Sequence, residues 1–253
     1  MNCNYPTCEA VTDKIFLCGA CKSVRYCSKD HQRLDWKHHK VVCNVNTTPN
    51  ILSCIANKEE QLYASCYCEE NVYKLGEVLS NICPSKLEDS YAVFITSLSK
   101  QVPIWYQQAS KSEVTPVVWD YHVILLHNGF IYDLDTTLSY PCLVDEYLLK
   151  STRLLDFPLP DENLHLFRLI KMSIYLKYFS SDRSHMVASK VDFPSWPCIK
   201  SMMTHTTMNL PSYWTIKSDE IKSITSMSEI SDCASDLGIV LNRNDLFKYC
   251  KKL

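Results

Sequence analysis

Apolar residues along this chain follow two different spacings, and the change from one to the other marks the predicted elements. Val72, Leu75, Leu79 and Ile82 recur at helical spacing, which predicts a helix that begins near Cys68. Shorter apolar runs are typical of strands, at residues 91–96, 101–107, 117–126 and 130–134. A second helix is predicted at 166–179, and helical or turn segments at 221–230 and 245–250. A helix followed by hairpin-linked strands predicts an α+β fold with an antiparallel sheet.

The dipeptide Asn128-Gly129 predicts a two-residue turn between the last two strands of that run. With this turn, His122 lies opposite Asp135, and Asp133 is a diagonal neighbour on the same face. Both aspartates are therefore within reach of the histidine, and the pattern does not choose between them.

Cys68 is expected in the first turn of its helix, where the positive end of the helix dipole and free backbone N–H groups favour a thiolate. A cysteine at a helix start, with a histidine and an aspartate on paired strands, is an arrangement that activates a thiol nucleophile. The three residue types therefore indicate a cysteine enzyme in which an aspartate orients His122 as the base.

Composition indicates an ordinary globular protein. Of the 253 residues, 46% are hydrophobic and 21% charged, which allows one core and a small satellite module. The net charge of −2 gives no general attraction to nucleic acid or to an anionic membrane, so neither is expected as a partner. The start lacks a signal-peptide pattern, so we expect a location in the cytoplasm, with the nucleus as a second compartment, and reduced cysteines. We also expect a monomer.

Cysteine is concentrated at the start of the chain, where six of the fourteen cysteines lie within the first 43 residues. With two histidines they supply eight candidate ligands, enough for two closed zinc sites. The order of these ligands predicts two interleaved sites, and the step to the last cysteine favours His39 over His38. The first site takes Cys3, Cys8, Cys27 and His31, and the second takes Cys18, Cys21, His39 and Cys43.

This cysteine-rich run, with Trp36 before its last ligands, resembles a MYND-type zinc finger. It differs from that family in two places, because His31 stands where a cysteine is usual and Cys3 is four residues from Cys8 instead of two. The second difference makes Cys3 the least secure ligand. MYND modules bind short, often proline-rich peptides, so the resemblance implies two structural zinc ions and a peptide partner. The alternative is a metal-stapled cap without a partner.

Polar, turn-forming residues at 44–50 place a domain boundary after the zinc module. The expected organisation is a zinc finger at 1–45, a linker at 46–62 and a catalytic domain at 63–253. A short helix is expected within 51–62, leading into the catalytic domain.

Motifs in the second domain resemble, in order, those of the protein N-terminal glutamine amidohydrolase family. They are SCYCEEN at 65–71, YAVFI at 91–95, PIWYQQA at 103–109, WDYHVILLH at 119–127, YDLDT at 132–136, YPC at 140–142 and SDRSHM at 181–186. Shorter matches follow at 197–198 and 208–210, and the resemblance ends near residue 215. The tail beyond that point differs most from the family.

This family is similar in fold to papain and the transglutaminases. The resemblance implies a triad of Cys68, His122 and Asp133, and so selects Asp133 over Asp135. It implies hydrolysis of the side-chain amide of an N-terminal glutamine through a thioester, giving glutamate and ammonia without a catalytic cofactor. The implied partners are proteins or peptides with an N-terminal glutamine, which then enter arginylation and N-degron-dependent degradation.

Candidate contacts with the substrate are Glu69, Glu70, Trp119, Asp120, Asp135 and Ser184. The four acidic residues can bind the free α-amine of a substrate, and the sequence does not rank them. The two glutamates have an alternative role in complementing the helix N-terminus. Two alternative functions stay open: a peptidase or transglutaminase on the same triad, and a zinc-finger scaffold without catalysis.

Overall fold

The computed structural model describes residues 3, 5, 8, 16–18, 25–43, 52–153, 158–201, 203–222 and 237–250. Its contacts divide the chain into two compact units, Met1–Ile51 and Leu52–Leu253. Within the described ranges, no helix has the length and apolar character needed to cross a bilayer.

The first unit contains a small hairpin followed by one helix. Its elements are β1 (Phe16–Leu17), the antiparallel β2 (Arg25–Tyr26) and α1 (Lys29–Cys43). The hydroxyl of Tyr26 donates to Asp35 Oδ2 at 2.7 Å, which joins the hairpin to the helix. The described apolar cluster consists of Cys18 and Tyr26 with Cys3 packed against them. A core of this size is typical of a fold that needs a bound metal for stability.

The second unit contains five helices and nine strands among the residues described. The helices are α2 (Cys68–Ile82), α3 (Val144–Thr152), α4 (Met172–Tyr178), α5 (Leu210–Trp214) and α6 (Arg243–Cys250). The strands are β3 (Ser90–Thr96), β4 (Val102–Ile104), β5 (Val117–Trp119), β6 (His122–His127), β7 (Phe130–Tyr132), β8 (Cys142–Leu143), β9 (Leu166–Lys171), β10 (Ile221–Lys222) and β11 (Ile239–Asn242).

Seven of these strands form the main sheet, in the order β10-β11-β9-β3-β6-β7-β8. Neighbouring strands are antiparallel except β10 and β11, which are parallel. Strands β4 and β5 form a separate antiparallel pair. A largely antiparallel sheet with helices in the same unit confirms the predicted α+β class.

Helices cover both faces of the sheet, as the central strand β3 shows. Val93 and Ile95 of this strand belong to a buried cluster that also contains residues of α3 and α6. On the other face, the ring of Phe94 lies 5.8 Å from Tyr175 of α4 and 5.4 Å from Tyr213 of α5, between centroids. Because every residue of β3 is buried, the strand needs no polar alternation.

The hairpin of β6 and β7 has the predicted register. Leu126 lies opposite Ile131, and the loop consists of Asn128-Gly129. Both loop residues have positive φ, 45° at Asn128 and 79° at Gly129, as this kind of two-residue turn requires. The turn therefore sets which residues of the two strands face each other.

The predicted helix at 166–179 is wrong in its first part. Residues Leu166–Lys171 form β9, which pairs with β3 on one side and β11 on the other, and the helix is limited to Met172–Tyr178. Residues 166–170 are all buried, and four of the five are apolar, a short run that fits a doubly covered strand as well as a helix. Pairing with strands distant in sequence decides between the two.

The single strand predicted at 117–126 is divided between β5 and β6, which belong to different sheets. The break lies at Asp120, whose Oδ1 accepts the Tyr121 N–H at 3.0 Å. The Asp120 carbonyl accepts the Thr96 hydroxyl at 3.1 Å. These local bonds replace ladder bonds where the chain passes from one sheet to the other.

In the tail, α6 includes the predicted helical segment 245–250. Residues 221–222 form β10 instead of the helix or turn expected at 221–230, of which 223–230 lies outside the described residues. Strand β11 has no counterpart among the predicted elements. The helix expected within 51–62 is replaced by two short 3-10 turns, Ser53–Ile55 and Lys58–Glu60.

Candidate functional site

Cys68 is the first residue of α2, as predicted. The loop before it is fixed by Asn71, whose Oδ1 accepts the Ala64 N–H at 2.8 Å and whose Nδ2 donates to the Ala64 carbonyl at 2.9 Å. Within this loop Cys66 has φ 67°, a left-handed conformation that is strained for a residue with a Cβ. The loop thus presents the cysteine at the start of the helix.

The Cys68 sulfur is nearly buried, with 8% of the residue exposed. Burial raises the pKa of its thiol well above the ordinary value, and the nearby Glu69 carboxyl raises it further. The thiol donates to Glu69 Oε2 at 3.7 Å. A hydrogen bond from the Val123 backbone N–H acts in the opposite direction and lowers the pKa. The helix start alone therefore does not ionise the sulfur, and forming a thiolate requires a base.

His122 is completely buried at the start of β6 and contacts Asp133 directly. Its Nε2 donates to Asp133 Oδ1 at 2.9 Å. Its Nδ1 has no hydrogen-bond partner among the described residues. The indole ring of Trp119 stacks on the imidazole with 5.6 Å between centroids. One ring nitrogen is thus held by a carboxylate, while the other is available to exchange a proton.

Three further donors hold Asp133 in place. Oδ1 accepts the Asp135 backbone N–H at 2.9 Å, while Oδ2 accepts Gln107 Nε2 at 3.1 Å and the Tyr147 hydroxyl at 2.8 Å. Burial alone would raise the pKa of Asp133, but His122 and these donors hold it below its ordinary value. Burial alone would lower the pKa of His122, but the charge of Asp133 raises it above its ordinary value.

Asp135 has a different environment. Its Oδ1 accepts the Tyr63 hydroxyl at 2.6 Å. A carboxylate oxygen of Asp135 lies within 4.8 Å of a ring nitrogen of His122 and an oxygen of Asp133, without a hydrogen bond to the histidine in the described contacts. The structure thus separates the two aspartates that the hairpin pattern leaves equivalent.

A cavity of about 160 Å³ opens beside the cysteine. This is smaller than the ~300–1,000 Å³ of pockets for drug-sized ligands, and so suits part of a side chain. Four predicted site residues line it, Cys68, Trp119, Asp120 and Asp135, together with Cys66, Tyr121, His185 and Met186. The Trp119 Nε1–H is buried without a partner among the described residues.

Glu70 does not line this cavity, although it is a predicted substrate contact. It is completely buried, and its Oε2 accepts Arg183 Nη2 at 2.7 Å and Trp196 Nε1 at 2.7 Å. The guanidinium of Arg183 also donates from Nε to Glu70 Oε1 at 2.9 Å. Glu70 therefore anchors the segment 183–196 to α2, the helix that begins at Cys68.

Glu69 is also buried completely and lies behind the cavity wall. Its Oε2 accepts the Tyr121 hydroxyl at 3.1 Å, and its Oε1 lies 3.7 Å from His185 Nε2, beyond hydrogen-bond distance. Burial raises the pKa of Glu69 to about 8. Ser184, the last predicted substrate contact, is exposed next to His185 and is not part of the cavity lining.

Several residues that support the site were not predicted. Tyr121, between Asp120 and His122 in the sequence, contacts Glu69, and its place inside a motif could have indicated this role. Gln107 and Tyr147 reach Asp133 from segments with no local signal of this contact. Arg183 is separated from Glu70 by 113 residues, so the spacing gives no indication of their ion pair.

In the first unit, Cys3, Cys8, Cys27 and His31 place their ligand atoms within 4.8 Å of one another. The sulfurs of Cys8 and Cys27 are 3.6 Å apart, and Cys3 Sγ is 3.7 Å from His31 Nδ1. Zinc–sulfur bonds of ~2.3 Å at a tetrahedral centre place two sulfurs ~3.8 Å apart, so this group fits a zinc ion. Cys3, the least secure ligand by its spacing, belongs to the group.

The second predicted ligand group is described only in part. Cys18 and His39 are both buried. Cys21 and the side chain of Cys43 lie outside the described residues.

Comparison with known proteins decides the family. Residues 63–250 match the model of N-terminal glutamine amidases. The chain belongs to the N-terminal glutamine amidase family. Residues 3–43 match the model of the MYND finger. These matches confirm the family, the finger and the deamidating hydrolase that the motifs predict.

Relatives of this N-terminal glutamine amidase include proteins named protein N-terminal glutamine amidohydrolase. The one from Homo sapiens is 45% identical over 154 residues, which cover 55% of this chain and 72% of the relative. The Bos taurus protein is 46% identical over 154 residues, covering 55% and 71%. The Danio rerio protein is 45% identical over 149 residues, covering 55% and 73%. The family match continues to residue 250 and so includes the tail, where the motif resemblance ends near residue 215.

Proposed function

We propose that this N-terminal glutamine amidase hydrolyses the side-chain amide of an N-terminal glutamine with a triad of Cys68, His122 and Asp133. One observation supports this most directly. His122 is bound to Asp133 through Nε2 and keeps Nδ1 without a partner among the described residues. Cys68 lines the cavity with Trp119, whose indole stacks on the His122 ring, and with Asp135, which lies within 4.8 Å of a His122 ring nitrogen. The thiol and the unoccupied nitrogen therefore belong to adjoining parts of one site.

In the first step His122 removes the thiol proton, and the sulfur attacks the side-chain carbonyl carbon of the glutamine. The buried carboxylate of Asp133 stabilises the imidazolium that results. The carbonyl oxygen becomes an oxyanion. Backbone N–H groups at the start of α2 are available to stabilise it, and so is the unpartnered Trp119 indole N–H in the cavity wall.

In the second step His122 returns its proton to the amide nitrogen, the carbon–nitrogen bond breaks, and ammonia leaves a thioester on Cys68. A water molecule then gives a proton to His122 and attacks the thioester carbon. The carbon–sulfur bond breaks, the sulfur leaves as a thiolate that recovers the proton from His122, and the product carries an N-terminal glutamate. Family resemblance assigns this product to arginylation and N-degron-dependent degradation.

We also propose that the second unit has the papain and transglutaminase type of fold. Its nucleophile starts a helix, and its histidine and aspartate lie on and next to paired antiparallel strands. This arrangement is the one that the resemblance implies.

For the finger we propose two structural zinc ions, with no part in the chemical steps. Cys3, Cys8, Cys27 and His31 would hold one ion. Cys18, Cys21, His39 and Cys43 would hold the other. We propose that the zinc finger spans residues 1–45, the linker 46–62 and the catalytic domain 63–253. We also propose that the finger binds a peptide.

The test is release of ammonia from a glutamine-initiated peptide, measured beside its N-acetylated twin. Release from the free peptide alone, lost in Cys68→Ala and kept in Cys83→Ala, a cysteine at the opposite end of α2, is the expected result. Equal release from both peptides would contradict specificity for the N-terminus. Cleavage of the peptide, or transfer to an added amine, would indicate a peptidase or a transglutaminase instead.

A further inference from the structure

A substrate glutamine at the start of a protein carries a positive α-ammonium group, and selectivity for it needs a nearby acceptor or carboxylate. We propose that Asp135 is this residue and that it binds the α-ammonium of the substrate. The inference rests on the proposed function and adds how its substrate is recognised.

The cavity favours a cation. Asp120 and Asp135 are both among its eight lining residues, and no lysine or arginine is among them. Two positive groups act on Asp135, His122 and Lys58, and neither lines the cavity. His122 is bound to Asp133, and Lys58 donates from Nζ to the Thr136 carbonyl at 2.7 Å. The two carboxylates therefore have no lysine or arginine beside them in the cavity lining, and a positive group of the substrate can pair with them.

Two of the four acidic candidates are completely buried and bound to other groups of the protein. Glu70 is bound to Arg183 and Trp196. Glu69 Oε2 accepts the Tyr121 hydroxyl at 3.1 Å and the Cys68 thiol at 3.7 Å. Neither carboxylate is among the groups that line the cavity, so neither can contact a substrate held in it without a rearrangement.

Asp120 and Asp135 differ in exposure. Asp120 is exposed, and pairs of exposed charges are weakened by water and salt. Only 7% of Asp135 is exposed, so its charge acts at short range with little screening. The Tyr63 hydroxyl holds its Oδ1 at 2.6 Å, which fixes the carboxylate before the substrate arrives. A fixed and buried carboxylate discriminates between a charged and an uncharged group more strongly than an exposed one.

The position of Asp135 also fits the length of glutamine. Four bonds separate the α-nitrogen from the reacting carbon, a span of about 5 Å when extended. Asp135 lies within 4.8 Å of His122 and Asp133 at the nearest ligand atoms and shares the cavity with Cys68. Because Cys68 and Asp135 line one cavity of about 160 Å³, a glutamine whose side-chain carbon meets the sulfur can bring its α-ammonium to Asp135.

The experiment compares a glutamine-initiated peptide with the same peptide carrying 4-carbamoylbutanoyl in place of glutamine, which lacks only the α-amine. The ratio of the two kcat/KM values measures selectivity for the ammonium. In Asp135→Asn this ratio should fall about 30-fold or more, chiefly through KM of the glutamine peptide. Tyr63→Phe keeps the carboxylate and should keep most of the selectivity. Asp135→Ser is the second variant if Asp135→Asn does not fold.

Two results would overturn the inference. One is an equal loss for both peptides in Asp135→Asn, which indicates a structural role. The other is a loss of selectivity in Asp120→Asn with Asp135→Asn unaffected.

A binding measurement separates this inference from the proposed reaction. In the Cys68→Ala background, calorimetry should give tighter binding of the glutamine peptide than of its desamino twin. Asp135→Asn in that background should remove the difference. If this holds while the unmodified protein releases no ammonia, the proposed reaction fails and the role of Asp135 stands. If Cys68→Ala binds both peptides equally, the role of Asp135 fails.

Discussion

At the level of single residues, the site gives two aspartates of one short segment different environments. Asp133 accepts four hydrogen bonds, including the one from His122, and is buried. Asp135 accepts a hydroxyl from Tyr63 and lines the cavity. Burial raises the pKa of Asp135, whereas its partners hold the pKa of Asp133 down. The first aspartate is therefore suited to stabilise a charged histidine. The second is suited to meet a cation of the substrate because it lines the cavity and is held by Tyr63.

Replacing Asp133 with asparagine tests the pairing with His122. The change removes the charge that raises the pKa of His122, so the imidazolium becomes harder to form. We expect kcat to fall about 10³-fold or more, with a smaller change in KM. The pH profile of kcat/KM should also shift, because the pKa of the histidine falls.

Tyr147→Phe is the matched control for this change, because it removes one donor to Asp133 and keeps the carboxylate. It should reduce kcat by much less. Similar losses in the two variants would indicate that packing around the aspartate, and not its charge, supports the reaction.

Glu69→Gln tests the cost of burying the carboxyl group next to Cys68. Burial raises the pKa of Glu69 from 4.5 to about 8, so the folded protein keeps a proton that the unfolded chain releases. The stability from this proton is complete below pH 4.5 and is lost as pH rises toward about 8. The slope is at most ~1.4 kcal/mol per pH unit from this group.

The free energy of unfolding, measured in urea at pH 5 and pH 8, should therefore fall less between the two pH values in Glu69→Gln than in the unmodified protein. Equal falls in both proteins would show that Glu69 does not titrate in this range.

At the level of elements, two glycines next to strands of the main sheet have left-handed backbones, and one of them permits a close backbone contact between strands. Gly238 precedes β11 with φ 64°, and a Cβ there would lie 1.9 Å from the Leu169 carbonyl oxygen of β9. Gly129 in the hairpin turn has φ 79°, but a Cβ there meets nothing within 4 Å. The two glycines thus share a left-handed backbone and differ in the space around it.

Gly238→Ala and Gly129→Ala form a matched pair. The first adds a steric clash with the backbone of β9 to the strain of a left-handed alanine, and we expect it to destabilise the protein by about 3 kcal/mol or more. The second adds only the strain, about 1 kcal/mol. Urea unfolding of both variants measures the difference. Equal destabilisation would contradict the close approach of β9 and residue 238.

At the level of the whole molecule, the two units depend on different sources of stability. The second unit buries a large cluster across the sheet. The described apolar cluster of the first unit is limited to Cys18, Tyr26 and Cys3. We therefore expect metal to stabilise the finger and apolar burial to stabilise the catalytic unit.

The zinc content of the full chain tests the two-ion finger. Elemental analysis should find about two zinc ions per chain. Cys8→Ala and Cys18→Ala, one from each ligand group, should each lower that number. His38→Ala, which removes a histidine assigned to neither group, should keep it. One ion per unmodified chain, or unchanged content in Cys18→Ala, would contradict the second site.

The sequence by itself determined features that depend on neighbouring residues. Helical spacing placed the start of α2 at Cys68, and the Asn128-Gly129 turn fixed the register of β6 and β7. Ligand spacing grouped Cys3 and His31 in one zinc cluster. In each case, the position of the feature is set by residues close in the sequence or by a spacing that recurs in a family.

Only the tertiary structure decided between choices that local pattern leaves equal. Residues 166–171 became a central strand because β3 and β11, distant in sequence, pair with it. Glu70 is paired with Arg183 and does not line the cavity. Asp133 differs from Asp135 in its contacts with Gln107 and Tyr147. Such choices depend on which groups the folded chain brings together and buries, and local spacing does not contain that information.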